Sequence, residues 1–195
     1  RMDGDGKIVV STDGGLNFSA TTVWPDVTMG RISGMATHPT EPNTAYVLFS
    51  YAERPKILKT TDAGATWTDI SGFGTGSAST NGFPDVAIYD LVVWPNDTDR
   101  IWVGSEIGLI ESLDGGATWG LADNGLPAVG IWFLALVEDE IVAGTHGRGI
   151  WSMTIPELTT GLTFKPLFES MVQAPTGNMD LTFNLRSDYD STQVW

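Results

Sequence analysis

Short runs of apolar residues alternate along this chain with turns rich in Gly, Asp, Asn and Pro. Lys7-Ile8-Val9-Val10, Lys56-Ile57-Leu58-Lys59 and Gly108-Leu109-Ile110-Glu111 have the length and branched-aliphatic content of strands. A longer two-strand unit recurs between them. Ile32 to Pro39, a polar turn and Ala45-Tyr46-Val47-Leu48-Phe49 form its first copy. Ala87 to Pro95, the turn Asn96-Asp97-Thr98-Asp99 and Arg100-Ile101-Trp102-Val103-Gly104 form the second. Ile131 to Val137, the turn Glu138-Asp139-Glu140 and Ile141-Val142-Ala143-Gly144 form the third. Each unit reads as two strands ordered from the outside of a sheet inward. No segment carries a helical period, so the pattern predicts an all-β chain.

Three further segments share one motif, [ST]-x-D-x-G-x-[TN]-[WF]. They are Ser11-Thr12-Asp13-Gly14-Gly15-Leu16-Asn17-Phe18, Thr60-Thr61-Asp62-Ala63-Gly64-Ala65-Thr66-Trp67 and Ser112-Leu113-Asp114-Gly115-Gly116-Ala117-Thr118-Trp119. The aspartates recur at intervals of 49 and 52 residues, near the upper end of the ~40–50 residues of a four-stranded propeller blade. The motif has the chemistry of a hairpin turn. The Asp accepts backbone N–H groups across the turn, and the Ser or Thr hydroxyl closes it from the other side. The Gly supplies a positive φ, and the terminal Trp or Phe drops into the apolar layer. A catalytic or calcium-ligating role for these aspartates is the competing reading. The turn reading is preferred because one chemistry explains all three copies.

This repeat divides residues 1–152 into the end of one blade, two full blades and most of a fourth, which closes at Gly149-Ile150-Trp151-Ser152. Propellers close with ~4–8 blades, so the expectation is a partial β-propeller with open lateral faces. The remainder of the same propeller, another protein chain or self-association would cover them. Residues 153–163 read as a linker, including Thr154 to Gly161. Residues 164–195 then offer a strand over Phe168 to Val172, a turn at Pro175-Thr176-Gly177-Asn178, and alternation of Met179, Leu181, Phe183 and Leu185. This resembles the start of a β-sandwich module of fibronectin-III or immunoglobulin type.

A net charge of −14 opposes binding to nucleic acid phosphates or to an anionic membrane. The chain has no Cys, which excludes a disulfide scaffold, thiol catalysis and cysteine-ligated zinc. No apolar run approaches the ~18–20 residues of a membrane span, so no membrane insertion is expected. The chain opens on Arg1-Met2-Asp3 without a signal-peptide pattern. A signal already removed, or a start inside a longer protein, would account for that.

The three motifs resemble the signature of the Asp-box (bacterial neuraminidase repeat) superfamily. Val142 to Trp151, which contains Gly144-Thr145-His146-Gly147-Arg148-Gly149, resembles the closing blade of secreted bacterial propellers in that group. The resemblance covers residues 1–152. It implies a bacterial secreted or cell-surface protein in which β-sandwich modules follow the propeller. It is weak for activity, because the superfamily hosts sialidases, xyloglucan hydrolases, sortilin-type receptors and photosystem assembly factors. Sialidases carry an Arg-Ile-Pro signature, and Arg31-Ile32-Ser33 lacks its proline. Sortilin-type receptors append a Cys-rich module, and photosystem assembly factors lack a following sandwich. Xyloglucan hydrolases are similar in their repeats and use two aspartates across a cleft, but no residue here can be matched to that pair.

Other candidates are few. Asp3-Gly4-Asp5-Gly6-Lys7-Ile8 resembles the middle of an EF-hand loop, but Arg1 and Thr12 stand where its terminal acids belong, so a hairpin turn is expected and no metal site. His146 and Arg148 could point into a central cavity and hold a carboxylate or glycan hydroxyl. The alternative is a turn made by Gly147 and Gly149, with Arg148 paired to a nearby acid. His38 occupies the repeat position of Trp94 and reads as packing. Of eight Trp, Trp24 and Trp132 lie near loops and are the remaining sugar-stacking platforms. The sequons Asn17-Phe18-Ser19 and Asn96-Asp97-Thr98 matter only in a eukaryotic secretory pathway. No catalytic residue and no cofactor is assigned. The expected function is a non-catalytic extracellular scaffold, or an interaction or glycan-binding propeller segment. The alternative is a fragment of a xyloglucanase-like glycoside hydrolase using paired carboxylates.

Overall fold

The computed structural model describes residues 8–11, 13–20, 30–123, 126 and 128–154, together with the backbone of two strands at 167–173 and 179–184. Among the described residues all fifteen elements are strands and all pairings are antiparallel. The strands β1 (Val9–Val10) and β2 (Ser19–Ala20) form a hairpin. A four-stranded sheet follows in chain order: β3 (Ile32–Thr37), β4 (Ala45–Phe49), β5 (Ile57–Thr60) and β6 (Thr68–Asp69). A second comprises β7 (Ile88–Val93), β8 (Ile101–Ser105), β9 (Gly108–Ser112) and β10 (Gly120–Leu121). Then come a three-stranded sheet of β11 (Ile131–Val137), β12 (Glu140–Thr145) and β13 (Ile150–Thr154), and a hairpin of β14 (Leu167–Gln173) and β15 (Met179–Asn184).

The sheets stack because their strands bury both faces. In β8, Ile101 and Val103 enter a core with Tyr46, Leu48, Ile57 and Leu91, between the two four-stranded sheets. Trp102 points the other way, into a core with Trp94, Leu109, Ile131, Leu134 and Ile141. Alternation along one strand thus feeds two cores. Neighbouring sheets meet chiefly through their first strands, β3 with β7 and β7 with β11. The first strand of each sheet is therefore the inner one, and the chain runs outward from it. This reverses the outside-to-inside order expected from the sequence, since apolar content alone does not tell an inner strand from an outer one.

Each inner strand is bulged at the same place. Register shifts fall between Ile32 and Gly34, between Ile88 and Asp90, and between Ile131 and Phe133. The extra residues are Ser33, Tyr89 and Trp132. Just beyond each bulge a cross-strand pair contains one glycine: Gly34 with Leu48, Asp90 with Gly104, and Phe133 with Gly144. At Gly34 and Gly104 the next sheet's backbone comes down on the glycine. A Cβ at Gly34 would stand 2.5 Å from the carbonyl oxygen of Tyr89, and one at Gly104 would stand 2.7 Å from that of Ile131. Only glycine permits that approach.

The strand β13 runs to Thr154, which pairs with Glu140, while Met153 pairs with Ile141 and packs on the second core. Two residues expected in the linker thus belong to the sheet, because Met153 finds an apolar seat there. Of the expected β-sandwich start, the paired strands β14 and β15 are described. The turn at 174–178, the segment 155–166 and residues 185–195 lie outside the described residues.

Candidate functional site: the rim of the inner strands

The bulges turn Tyr89 and Trp132 out of the regular alternation at the starting end of β7 and β11. Trp132 stacks on His146, with ring centroids 4.5 Å apart and planes 13° from parallel. Tyr89 meets Trp132 edge-on at 5.9 Å. Ser33 holds the corresponding bulge in β3. His146 reaches Trp132 because its backbone N–H donates to the carbonyl of Gly130 at 2.7 Å, just before β11. The turn that carries it relies on Gly147 and Gly149, at φ 85° and 75°. Trp132 nevertheless keeps 55% of its surface exposed. A flat aromatic held from two sides and open on the rest is a preorganised apolar platform.

The structure thus brings two of the expected candidates, Trp132 and His146, into contact. Arg148 sits exposed on the same turn and makes no ion pair among the described residues. Its carbonyl accepts the indole N–H of Trp151 at 3.1 Å. Trp24 lies outside the described residues, as does the 1–7 segment with its EF-hand-like run. Tyr89 was not among the sequence candidates. A signal for it exists: Ile32-Ser33, Ile88-Tyr89 and Ile131-Trp132 occupy one position of the repeated two-strand unit.

A charged strut stands at this same end of the sheets. Lys56, fully buried, places Nζ 2.6 Å from Asp85 Oδ1 and donates also to the carbonyl of Tyr51. Glu53 N–H donates to both Asp85 oxygens, at 3.1 and 3.0 Å. Burial pushes the Asp85 carboxyl up, but the Lys56 ammonium and the Glu53 N–H outweigh it and hold the group below its ordinary value. The strut ties the β4–β5 connection to the segment leading into β7. Ser50 adds a second tie, donating to the carbonyl of Ile88 at 2.6 Å.

The three repeat turns lie at the opposite end of the sheets. In each, the Ser or Thr hydroxyl (Ser11, Thr60, Ser112) accepts the N–H of the positive-φ glycine (Gly15, Gly64, Gly116) at 2.8 Å. The same hydroxyl donates to the Asp Oδ1 at 2.7–2.8 Å. Asp13, Asp62 and Asp114 then accept the backbone N–H of Asn17, Thr66 and Thr118 at 2.8–2.9 Å. The second carboxylate oxygen takes the side chain of that residue at 2.6–2.7 Å. These donors hold Asp13, by the Asn17 N–H first, and Asp62, by the Thr66 hydroxyl first, at about 2. Asp114 is lowered in the same sense, chiefly by the Thr118 hydroxyl. All three carboxylates accept hydrogen bonds within their own turns.

The terminal aromatics of these turns are not equivalent, contrary to the expectation that each anchors its hairpin in the apolar layer. Trp119 is 7% exposed, Trp67 half-buried and Phe18 46% exposed. Trp119 leans on Ile70 of the sheet before its own, whereas Trp67 packs on Val47, Phe49 and Leu58 of its own sheet, so burial depends on what each ring lies against rather than on the turn. His38 is buried, its Nδ1 accepting the Glu41 N–H at 3.1 Å. Trp94 is buried at the equivalent place under the Arg100 guanidinium, 3.9 Å from its ring centre. Near His38, burial and then the Glu41 carboxylate push the Tyr46 hydroxyl up to about 12.

No family model matches the chain, and no curated protein matches it. Solved structures do. A GH74 enzyme of Niastella koreensis is 20% identical, covering 90% of this chain and 26% of its own, with a TM-score of 0.56. YCF48 bound to D1 peptide is 16% identical, covering 92% and 56%, at 0.53. The GH74 xyloglucanase from Xanthomonas campestris is 18% identical, covering 70% and 23%, at 0.50. The chain thus spans from about a quarter to just over half of these structures. At such identities the likeness is one of fold, and the stacked antiparallel sheets with their inner strands side by side are the blades of a β-propeller.

Proposed function

We propose that the chain is a non-catalytic, ligand-binding segment of a larger propeller of the Asp-box type, working outside a bacterial cell or on its surface. The ligand is a glycan, received at the rim of the inner strands. One observation carries this reading: Trp132 is stacked on His146 and braced by Tyr89, yet more than half exposed. Exposing so large an aromatic face to water has no folding benefit, whereas the apolar face of a pyranose covers it well. The repeat-turn carboxylates, the most regular acids in the chain, already accept several hydrogen bonds each. That supports binding without hydrolysis.

The test is a titration of tryptophan fluorescence with xyloglucan and other β-glucan oligosaccharides, the first probes because one structural neighbour is a xyloglucanase. Saturable quenching that weakens at least tenfold in Trp132→Ala supports the reading. No response at millimolar oligosaccharide, or a response that Trp132→Ala leaves intact, overturns it. Reducing ends released in the same samples would favour the hydrolase alternative instead.

A further inference from the structure

Arg148 stands on the β12–β13 turn that also carries His146. Thr145 closes this turn by donating both its N–H and its hydroxyl to the carbonyl of Gly149, at 3.0 and 2.6 Å. The indole N–H of Trp151 fixes the Arg148 carbonyl in addition. The backbone of Arg148 is thus held in place, two residues from the imidazole that stacks on Trp132.

Its guanidinium, by contrast, is unengaged. Lys56 and Arg100 pair with Asp85 and Glu111, Arg54 donates to the Glu53 carbonyl, and Lys59 lies over the Tyr46 ring. Among the described residues Arg31 and Arg148 make no such contact, and both are exposed. Both stand at the rim, Arg31 just before β3 and Arg148 just after β12. On a chain with 24 acids against 10 Lys and Arg, an exposed guanidinium with no carboxylate beside it is the exception. Glu106, on the neighbouring β8–β9 turn, turns its Oε1 to the Ala87 N–H at 2.9 Å. Other acids crowd the opposite end, where Asp97, Asp99, Glu138 and Asp139 stand in the β7–β8 and β11–β12 turns.

A following sheet would leave the Arg148 turn open. The β8–β9 turn holds the same place in a sheet whose successor is docked, and there Glu106 and Ile107 stay exposed, Ile107 at 39%.

We infer that the glycan received at the rim is acidic: a hexuronate whose ring covers Trp132 while its carboxylate takes the Arg148 guanidinium. A guanidinium offers a carboxylate two parallel N–H donors. The ring and carboxylate of one uronate form a nearly rigid unit, which suits a platform and a cation braced by one turn. The inference rests on the glycan reading and narrows it from a sugar to an acidic sugar.

Cellotetraose and the tetramer of β-1,4-linked glucuronate share one backbone and differ in the C6 carboxylate, so titrating tryptophan fluorescence with each isolates the charge. The glucuronate should bind about tenfold more tightly at low ionic strength, and the ratio should shrink as salt screens the pair. Arg148→Gln should bring the two affinities together, with its thermal unfolding unchanged. Equal affinities in the unmodified chain, a ratio indifferent to salt, or a ratio that Arg148→Gln leaves intact overturns the inference while the glycan reading stands. Binding of neither tetramer overturns both.

Discussion

The indole N–H of Trp119 donates to the carbonyl of Ile70 at 2.7 Å, crossing from one four-stranded sheet to the one before it. Its ring meets Phe83 edge-on at 5.0 Å, and Ile70 packs on the same core. A turn residue of one blade is thereby a fastening for its predecessor. Trp119→Phe should destabilise the chain by about 0.5–1.5 kcal/mol, since it removes one hydrogen bond but leaves the Ile70 carbonyl the Asn81 amide as a donor. Trp119→Ala should destabilise by about 3–5 kcal/mol, whereas exposed Phe18→Ala should shift the midpoint of urea denaturation little.

Ala63 stands at φ 56°, in the turn position that Gly14 and Gly115 occupy in the other two copies. An L side chain there costs roughly 1–2 kcal/mol, and glycine gives back part of that through unfolded-state entropy. Ala63→Gly should therefore stabilise by about 0.5–1 kcal/mol, read as a higher denaturation midpoint at constant slope. Gly115→Ala should move it the other way.

The turn aspartates predict the acid limb of stability. Asp13 and Asp62 titrate at about 2 in the folded chain, below their ordinary 3.8. Their ionised forms thus favour folding: the contribution is complete above the ordinary value and disappears as pH falls toward 2. Denaturation midpoints should drop over that window. Asp62→Asn should flatten the drop, because the amide does not titrate, and should lower the midpoint near neutral pH, because it keeps one acceptor oxygen but cannot accept the Thr66 hydroxyl with the other. An equally steep limb in Asp62→Asn would locate the acid sensitivity elsewhere.

The strut beneath the rim distinguishes removing one charge from removing the other. Asp85→Ala leaves the buried Lys56 ammonium with the Tyr51 carbonyl and the Phe73 ring face but no counter-charge, and should destabilise strongly, near the lower end of the roughly 3–5 kcal/mol for a broken buried pair. Lys56→Met leaves the partly exposed Asp85 to water and the Glu53 N–H, and should be milder. Thermal melts of the two variants decide the order.

The repeat turns were legible because their chemistry is local. The spacing of Ser11, Asp13 and Gly15 already dictates which atoms can meet. Strand positions were legible for the same reason, as with Ala45–Phe49 and Ile131–Val137. The rim was half legible. Trp132 and His146 stood out one at a time, but their stacking depends on a bulge and on the Gly130 carbonyl, neither of which periodicity reveals. Lys56 and Asp85 were invisible, since 29 residues and a sheet boundary separate them. The unequal burial of Phe18, Trp67 and Trp119 was unreadable too, because the motif sets the turn and not the surface against which its last ring comes to lie.

Among the described residues, every hydrogen bond made by the Asp side chain of a repeat turn begins and ends within the motif's own eight residues. The carboxylate lock is thus a local clasp whose strength is set by eight residues of sequence. The clasp is fitted to its own sheet by its backbone, since the Ala63 and Gly115 N–H groups reach out of the motif to the Asn43 and Asp99 carbonyls.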